Sequence, residues 1–312
     1  MARLAWIGVA LVLASCASGG GGPLDDAGSA PTDAGAVDAA IAIDAGTDAG
    51  VALDAGRADG GRPDGGPPDG GPVDAGPPDA GPITLPVTDA LLVHFDARDV
   101  LGDGSAPGAT PAAWLDLTGG NDAACTNARW EADGLATGHP AIRTVSTAAS
   151  HCAFPIPDLG DLSIFVVLRT SDTRVGQEWW TSPVIVGGDR ADEWDDGAFF
   201  LSGGRAGFAR RDARPRFDST RSIADGAPHA ISLVRVAASG VVTFRADDFP
   251  LETGSAPSGG ISEPNTWRVG RHDNEAEGRI AASFGEVLIY SRALSPAERA
   301  SVHDYLAARW SL

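Results

Sequence analysis

The chain has 312 residues, including 41 glycines and 22 prolines, and a formal net charge of -19. A protein this acidic is repelled by phosphate backbones and anionic headgroups, which argues against nucleic acid as a partner. Glycine and proline concentrate before Leu85, so about 230 residues remain to build a hydrophobic core. That length suits one large all-β domain.

The first sixteen residues have the pattern of an export signal. A short positive start, Met1–Arg3, precedes an apolar run from Leu4 to Leu13 that is too short to cross a bilayer. The run ends in Leu-Ala-Ser-Cys16, which resembles the lipobox of bacterial lipoproteins. The resemblance implies a signal peptide over residues 1–15, a lipid anchor on Cys16 and an outer-membrane location. The alternative is an ordinary signal peptide with a chance cysteine.

Residues 16–84 have the composition of a tether. Glycine, alanine, proline and aspartate dominate, and from Asp54 to Asp79 an aspartate recurs at every fifth residue. Such a segment has too little apolar surface to offset chain entropy, so we expect a disordered, extended spacer. A calcium-binding repeat is disfavoured because these pentads lack the apolar residue that forms a strand.

Residues 85–312 alternate short apolar runs with Gly, Asp and Pro turns, a pattern that predicts an all-β sandwich or barrel. The run Leu162–Leu168 is apolar at nearly every position, as a strand buried on both faces is. Two further runs, His229–Arg235 and Val241–Arg245, are predicted to pair across a short turn. The remaining predicted strands are Ala90–Phe95, the segment from Trp114, Val184–Val186, Ala198–Leu201, Ala206–Ala209, Trp267–Gly270 and Phe284–Tyr290.

Five segments of this domain form a recognisable set: Phe95–Ala97, Trp114–Asp116, Asp225–His229, Gly285–Tyr290 and Arg292–Glu298. Through these residues the domain resembles the concanavalin A-like, laminin-G-like jelly rolls of secreted bacterial proteins. The resemblance implies two packed antiparallel sheets in a jelly-roll sandwich, with the last strand pairing against the first. It identifies a fold and carries no chemistry.

The chain closes with a predicted helix. Ser295 is suited to cap it, Pro296 to occupy its first position, and Glu298 to complete a capping box. We expect the helix to run to about Arg309 and to lie on the sandwich. Its apolar face would consist of Val302, Tyr305, Leu306 and Trp310.

Cys125 and Cys152 remain once Cys16 is assigned to the anchor. Paired cysteines in an exported domain are usually oxidised, so a disulfide between these two is predicted. Two separate buried thiols are the alternative.

The acidic loop from Gly187 to Gly197 is the candidate metal site. Its carboxylates supply the hard oxygen ligands that calcium prefers, although their spacing matches no known motif. A solvated acidic loop, neutralised in part by Arg190, is the competing interpretation. The candidate ligands are Asp189, Asp192, Asp195 and Asp196.

Trp179, Trp180 and Trp194 flank the same loop. Exposed indoles stack on sugar rings, so these three are candidate carbohydrate-binding residues. The competing interpretation is that they fill the edge of the core. The arginine-rich stretch from Arg205 to Arg221 could recognise an acidic polysaccharide, or could pair with the acidic loop.

Catalysis is not indicated. Glycoside hydrolysis needs two facing carboxylates, and the second glutamate of the superfamily's catalytic pattern is missing after Glu193–Asp195. Glu286 lies in a strand that reads as buried, where it is expected to be a structural hydrogen-bond partner. The sequence therefore favours a surface-anchored, non-catalytic binding or adhesion lipoprotein that recognises carbohydrate. A polysaccharide-degrading enzyme and a structural protein-interaction module are the alternatives.

Overall fold

A computed structural model describes residues 83–188, 196–211, 216–262, 265–272 and 278–312 of the chain. This part is an all-β sandwich of two antiparallel sheets with one α-helix near its carboxyl end. No helix among these residues is long and apolar enough to cross a membrane. The predicted signal peptide, the anchor on Cys16 and the tether lie outside the described residues and stay predictions.

The described residues form sixteen strands and the helix α1. In chain order they are β1 (Leu91–Asp96), β2 (Ala113–Trp114), β3 (Ala123–Thr126), β4 (Arg129–Glu131), β5 (Ala141–Thr144), β6 (His151–Pro155), β7 (Leu162–Thr170), β8 (Val184–Gly188), β9 (Gly197–Ser202), β10 (Arg205–Arg210), β11 (Phe217–Ser222), β12 (Pro228–Val236), β13 (Val241–Ala246), β14 (Glu252–Ser255), β15 (Thr266–Val269), β16 (Ala282–Tyr290) and α1 (Pro296–Trp310).

The strands are divided equally between two eight-stranded sheets. Sheet I has the order β14-β13-β12-β7-β16-β5-β4, with β1 also paired to β16. Sheet II has the order β11-β10-β9-β8-β15-β6-β3-β2. Many neighbours in each sheet are distant in sequence, as a jelly-roll sandwich requires.

Strand β16 is the centre of sheet I. One of its edges pairs with β7 along nearly its whole length. Its other edge is shared, because Ala282–Phe284 pair with β5 and Glu286–Tyr290 pair with β1. The predicted pairing of the last strand with the first is thus confirmed.

The core lies between the sheets. Phe95 of β1 stacks on Trp114 with ring centroids 5.2 Å apart and meets Phe154 of sheet II edge-on at the same distance. Phe244 of β13 meets Phe199 of β9 edge-on, with ring centroids 6.2 Å apart. Aromatic pairs of this kind add to the apolar burial that holds two sheets together.

Helix α1 packs on the face of sheet I that points away from sheet II. Its N-cap is formed as expected, since the Ser295 hydroxyl accepts from the Glu298 amide and the Glu298 carboxylate accepts from the Ser295 amide. His303 bonds the Ser232 hydroxyl of β12 over 2.7 Å. The four residues predicted for its apolar face, Val302, Tyr305, Leu306 and Trp310, are all buried.

Most predicted strands are confirmed, including the hairpin of β12 and β13. The strands that sequence patterns missed are short or polar, and they form where backbone pairing rather than an apolar run defines them. They are β3, β4, β5, β6, β11 and β14. A 3-10 turn at Trp179–Thr181 was also not anticipated.

The disulfide between Cys125 and Cys152 is present. These residues are opposite each other on the adjacent strands β3 and β6 of sheet II. The predicted covalent link is therefore confirmed, and it ties together two strands that are 27 residues apart in sequence.

Candidate functional site

An arginine row crosses the outer face of sheet I. Arg129 of β4 is opposite Arg143 of β5, Arg143 is opposite Ser283 of β16, and Ser283 is opposite Arg169 of β7. The row points away from sheet II, because Phe95 of β1 packs on sheet II and the registers of β1, β16 and β7 put Arg169 on the opposite face. Paired positions on adjacent strands place these four side chains on one face.

Three members of this row line a groove that is open to solvent. The groove has a volume of about 280 Å³, and Arg143, Arg169 and Ser283 contribute to its wall together with Thr170 and Glu131. We call it the arginine groove. Because its floor is β-sheet, the side chains that line it are attached to a rigid backbone.

The side chain of each of the groove's two arginines makes a hydrogen bond to one residue of the protein. Arg169 donates from Nε to the Gly226 carbonyl over 2.6 Å. Arg143 donates from Nη1 to Glu131 over 2.9 Å. Among the described residues, neither Nη of Arg169 nor the Ser283 hydroxyl has a hydrogen-bond partner. The groove therefore presents donors that the described part of the protein does not use.

The carboxylates near the groove are already paired. Glu131 takes the Arg143 bond. Asp172, two residues after β7, accepts from the Arg174 guanidinium over 2.6 Å and from the Ala281 amide over 3.1 Å. Its pKa is held below the ordinary value by these bonds, which outweigh the effect of burial. Of these acids, only Glu131 lines the groove.

A histidine clamp holds the loop that anchors Arg169. The imidazole of His229 bonds Asp247 over 2.7 Å and Asp225 over 2.9 Å, so it links the loop before β12 to the turn after β13. The bond to Asp247, supported by Asp225, raises the pKa of His229 against the opposing effect of burial. Gly226, whose carbonyl holds Arg169, follows Asp225 directly.

The other polar cluster on this face is closed. Glu286 is fully buried and accepts from His94 Nε2, Tyr305 and Trp310 Nε1, at 2.8, 2.9 and 2.6 Å. This confirms that Glu286 is a structural hydrogen-bond partner. The bonds from Tyr305 and Trp310 attach helix α1 to the sheet.

His94, Asp96 and Glu286 have donor atoms close enough to hold a metal ion. Arg309, however, is bonded to Asp96 and lies 3.5 Å from Glu286. A guanidinium inside the cluster supplies the positive charge that a metal would bring, and a second cation beside it would be repelled. Burial, with the Glu286 charge beside it, raises the pKa of Asp96. The cluster is best described as the docking site of helix α1.

The tryptophans predicted to bind carbohydrate lie in different environments. Trp179 is 3% exposed, packs with Val184, Ala198 and Phe200 on the outer face of sheet II, and donates from Nε1 to the Arg211 carbonyl. Its indole face is therefore occupied by the protein, as the edge-of-core interpretation requires. Trp180 meets Trp179 edge-on and stays partly exposed, and Trp194 lies outside the described residues.

The proposed calcium loop is described at one position only. Asp196 is 2% exposed, while Asp189, Asp192 and Asp195 lie outside the described residues. The calcium site consequently stays a prediction.

The arginine-rich stretch does not form one basic patch in its described part. Arg210 is buried and donates to the Ser258 and Gly260 carbonyls. Arg216 pairs with Asp218, and Arg221 stacks over Phe249. These arginines mainly serve the fold.

No sequence pattern predicts the arginine groove. Its members come from strands β5, β7 and β16, which are far apart along the chain, and each occurs singly in an apolar or mixed run. Only the strand order brings them into register.

No family model and no curated protein matches this chain. Solved structures do. A Trypanosoma rangeli sialidase in complex with 2,3-difluorosialic acid matches 71% of this chain and 34% of its own, with 14% identity and a TM-score of 0.50. The binding domain of Paraclostridial Mosquitocidal Protein 1 matches 70% of this chain and 52% of its own, with 14% identity and a TM-score of 0.48.

A SAP-like pentraxin from Limulus polyphemus matches 50% of this chain and 73% of its own, with 13% identity and a TM-score of 0.39. The present chain spans about a third of the sialidase that it matches. At such identities the likeness shows the fold alone. The fold places the domain in the class of jelly-roll-like β-sandwiches, and the function has to be argued from its surface.

Proposed function

We propose that this protein is an outer-membrane lipoprotein that presents a non-catalytic, carbohydrate-binding β-sandwich. The observation that carries the proposal is the arginine groove, an open cleft with unused hydrogen-bond donors on a rigid sheet. Sugars offer many oxygen acceptors, and a preformed site loses little conformational freedom when they bind.

The interior of the domain supports a role without catalysis. Asp96 and Glu286 are a close pair of carboxylates, both fully buried. Helix α1 covers them, and Tyr305, Trp310 and Arg309 use their oxygens. A glycosidase needs its two carboxyl groups on either side of an accessible bond, which this pair does not offer.

The binding proposal is tested by applying the purified full-length chain to a glycan array, with and without added calcium. We expect retention of a limited set of glycans, and loss of that retention when Ser283, in the floor of the groove, is replaced in Ser283→Trp. Silence toward every glycan under both conditions would remove carbohydrate as the ligand class. A calcium requirement would direct attention to Asp189–Asp196.

The anchor is tested separately, in bacteria that express the full-length chain and are fed an alkyne-bearing fatty acid. Lipidation at Cys16 predicts a labelled protein that partitions with the outer membrane. Cys16→Ala should be unlabelled. Equal labelling of both forms would exclude Cys16 as the acylated residue.

A further inference from the structure

We infer that the arginine groove binds its oligosaccharide through an acidic group, either a uronate carboxylate or a sulfate ester, which Arg143 and Arg169 hold on either side of Ser283. This inference rests on the proposed function and narrows its ligand class. Both sources of negative charge offer the same chemistry, an oxyanion that accepts several hydrogen bonds.

The spacing of the groove suits one oxyanion. Arg143, Ser283 and Arg169 are direct neighbours on three consecutive strands. Adjacent strands lie about 4.8 Å apart, so the two arginine backbones are roughly 10 Å apart. Arg143 is held toward Glu131 of β4 and Arg169 toward Gly226 before β12. The two guanidinium groups therefore border the groove from opposite sides, with Ser283 between their strands. Arginine is suited to such contacts because its planar fork binds oxyanions bidentately.

The arginine side chains of the groove offer hydrogen-bond donors and no acceptors. A guanidinium donates hydrogen bonds and accepts none. In the described structure Arg169 uses only Nε and Arg143 uses only Nη1, so their remaining N–H groups face the groove or solvent. A neutral sugar hydroxyl satisfies one such donor at a time, whereas a carboxylate or sulfate satisfies several. The chemistry of the donors thus favours an acceptor-only group.

The local charge also favours an anion. Arg129, Arg143 and Arg169 share one row of sheet I, and like charges on neighbouring positions of a sheet destabilise it unless they are neutralised. Glu131 pairs with Arg143, and Ser283 occupies the position between the two groove arginines where a neutralising acid would fit. The row therefore keeps an excess of positive charge.

The net charge of -19 does not cancel this local excess. Charges separated by more than about 8 Å are largely screened at physiological ionic strength. The acids next to the groove are engaged, since Asp172 is bound to Arg174 and Asp225 to His229. An acidic ligand would be attracted by the arginines at close range. Its repulsion by the more distant acids of the protein would be screened by salt.

The test measures binding of the full-length chain to matched glycan pairs by affinity electrophoresis and calorimetry. One pair is oligogalacturonate and its methyl ester, and the other is a sulfated oligosaccharide and its desulfated form. Arg169→Ala and Arg143→Ala are compared with Arg205→Ala, which removes an exposed arginine from sheet II. Each groove variant should weaken binding of an acidic glycan about 10- to 100-fold, and Arg205→Ala should not.

The outcomes separate the inference from the proposed function. Binding confined to acidic members and weakened by both groove variants supports the inference, and the pair that responds identifies carboxylate or sulfate. Equal binding of neutral and acidic members, or groove variants that bind like the wild type, overturns the inference and leaves carbohydrate binding intact. No binding to any member overturns both. Arg143→Ala is expected to fold, because the only polar contact that it removes within the described part of the protein is a solvent-exposed ion pair. A loss of binding in this variant can therefore be attributed to the groove.

Discussion

At the scale of single residues, Glu286 shows how much of the polar chemistry in this domain serves assembly. The carboxylate is fully buried, yet three neutral or cationic donors and the nearby Arg309 surround it. A buried acid is tolerated only when its oxygens are satisfied in this way. Each donor that is lost should therefore cost more than an ordinary hydrogen bond.

The two tyrosines of the chain test this expectation. Tyr305→Phe removes a bond to buried Glu286 and should lower the free energy of unfolding by about 1–3 kcal/mol. Tyr290→Phe is the matched control, because its hydroxyl bonds the backbone carbonyl of half-buried Val87, which water can reach. Chemical denaturation should show a larger loss for Tyr305→Phe. Equal losses would mean that the Glu286 network relaxes to replace the bond.

Two histidines give the stability of the domain opposite dependences on pH. The pKa of His229 is raised, chiefly by Asp247, so its stabilisation is complete below the unfolded value of 6.5 and is lost as pH rises through the folded value. Burial lowers the pKa of His303 to about 4, so its contribution is complete above 6.5 and is lost as pH falls toward 4.

Thermal or denaturant unfolding over a pH series checks these signs. His229→Gln should destabilise the protein more at pH 6 than at pH 8.5, because only the protonated imidazole strengthens the clamp. His303→Gln should remove a part of the acid-induced loss of stability, up to roughly 3 kcal/mol at pH 4. Parallel curves for wild type and either variant would contradict the corresponding assignment.

At the scale of elements, the docking of α1 on β16 depends on a glycine. A Cβ on Gly285 would lie 3.0 Å from Leu135 and 3.1 Å from the indole of Trp310. The strand also shifts register at this point, between Phe284 and Glu286. Glycine therefore allows the end of the helix to approach the sheet closely.

Gly285→Ala should reduce the free energy of unfolding by about 1–3 kcal/mol, because the added methyl overpacks this contact. Gly108→Ala is the control, since a Cβ there meets nothing within 4 Å. Urea denaturation of both variants measures the difference. A neutral Gly285→Ala would show that Leu135 and Trp310 can move apart without cost.

Sequence patterns predicted best the helices and strands that are determined by residues close together along the chain. Helix α1 was predictable because Ser295, Pro296 and Glu298 act within one turn. The buried strand β7 was predictable from its apolar run. Strands β4 and β5 were not, because they have only three and four residues and β5 is aligned by β16, which is far away in sequence.

At the scale of the whole molecule, the fold could be predicted from the sequence, but the candidate binding site could not. The sandwich, the disulfide and the pairing of the first strand with the last follow from composition, cysteine count and family resemblance. The arginine groove does not, because its register exists only after β5, β16 and β7 have come together. Sequence patterns predicted ligands at Asp189–Asp196, between β8 and β9, whereas the arginine groove of the described residues is on sheet I.

The pairing of β1 with β16 also has a mechanical consequence. Under the proposed function, a ligand held at Ser283 would pull on β16 at one end, and the predicted tether would pull on β1 at Leu91, beside Tyr290 at the other end. Opposed forces along two antiparallel strands load their crosswise hydrogen bonds together, rather than opening them one after another. The hydrogen bonds between β1 and β16 would therefore be loaded in shear.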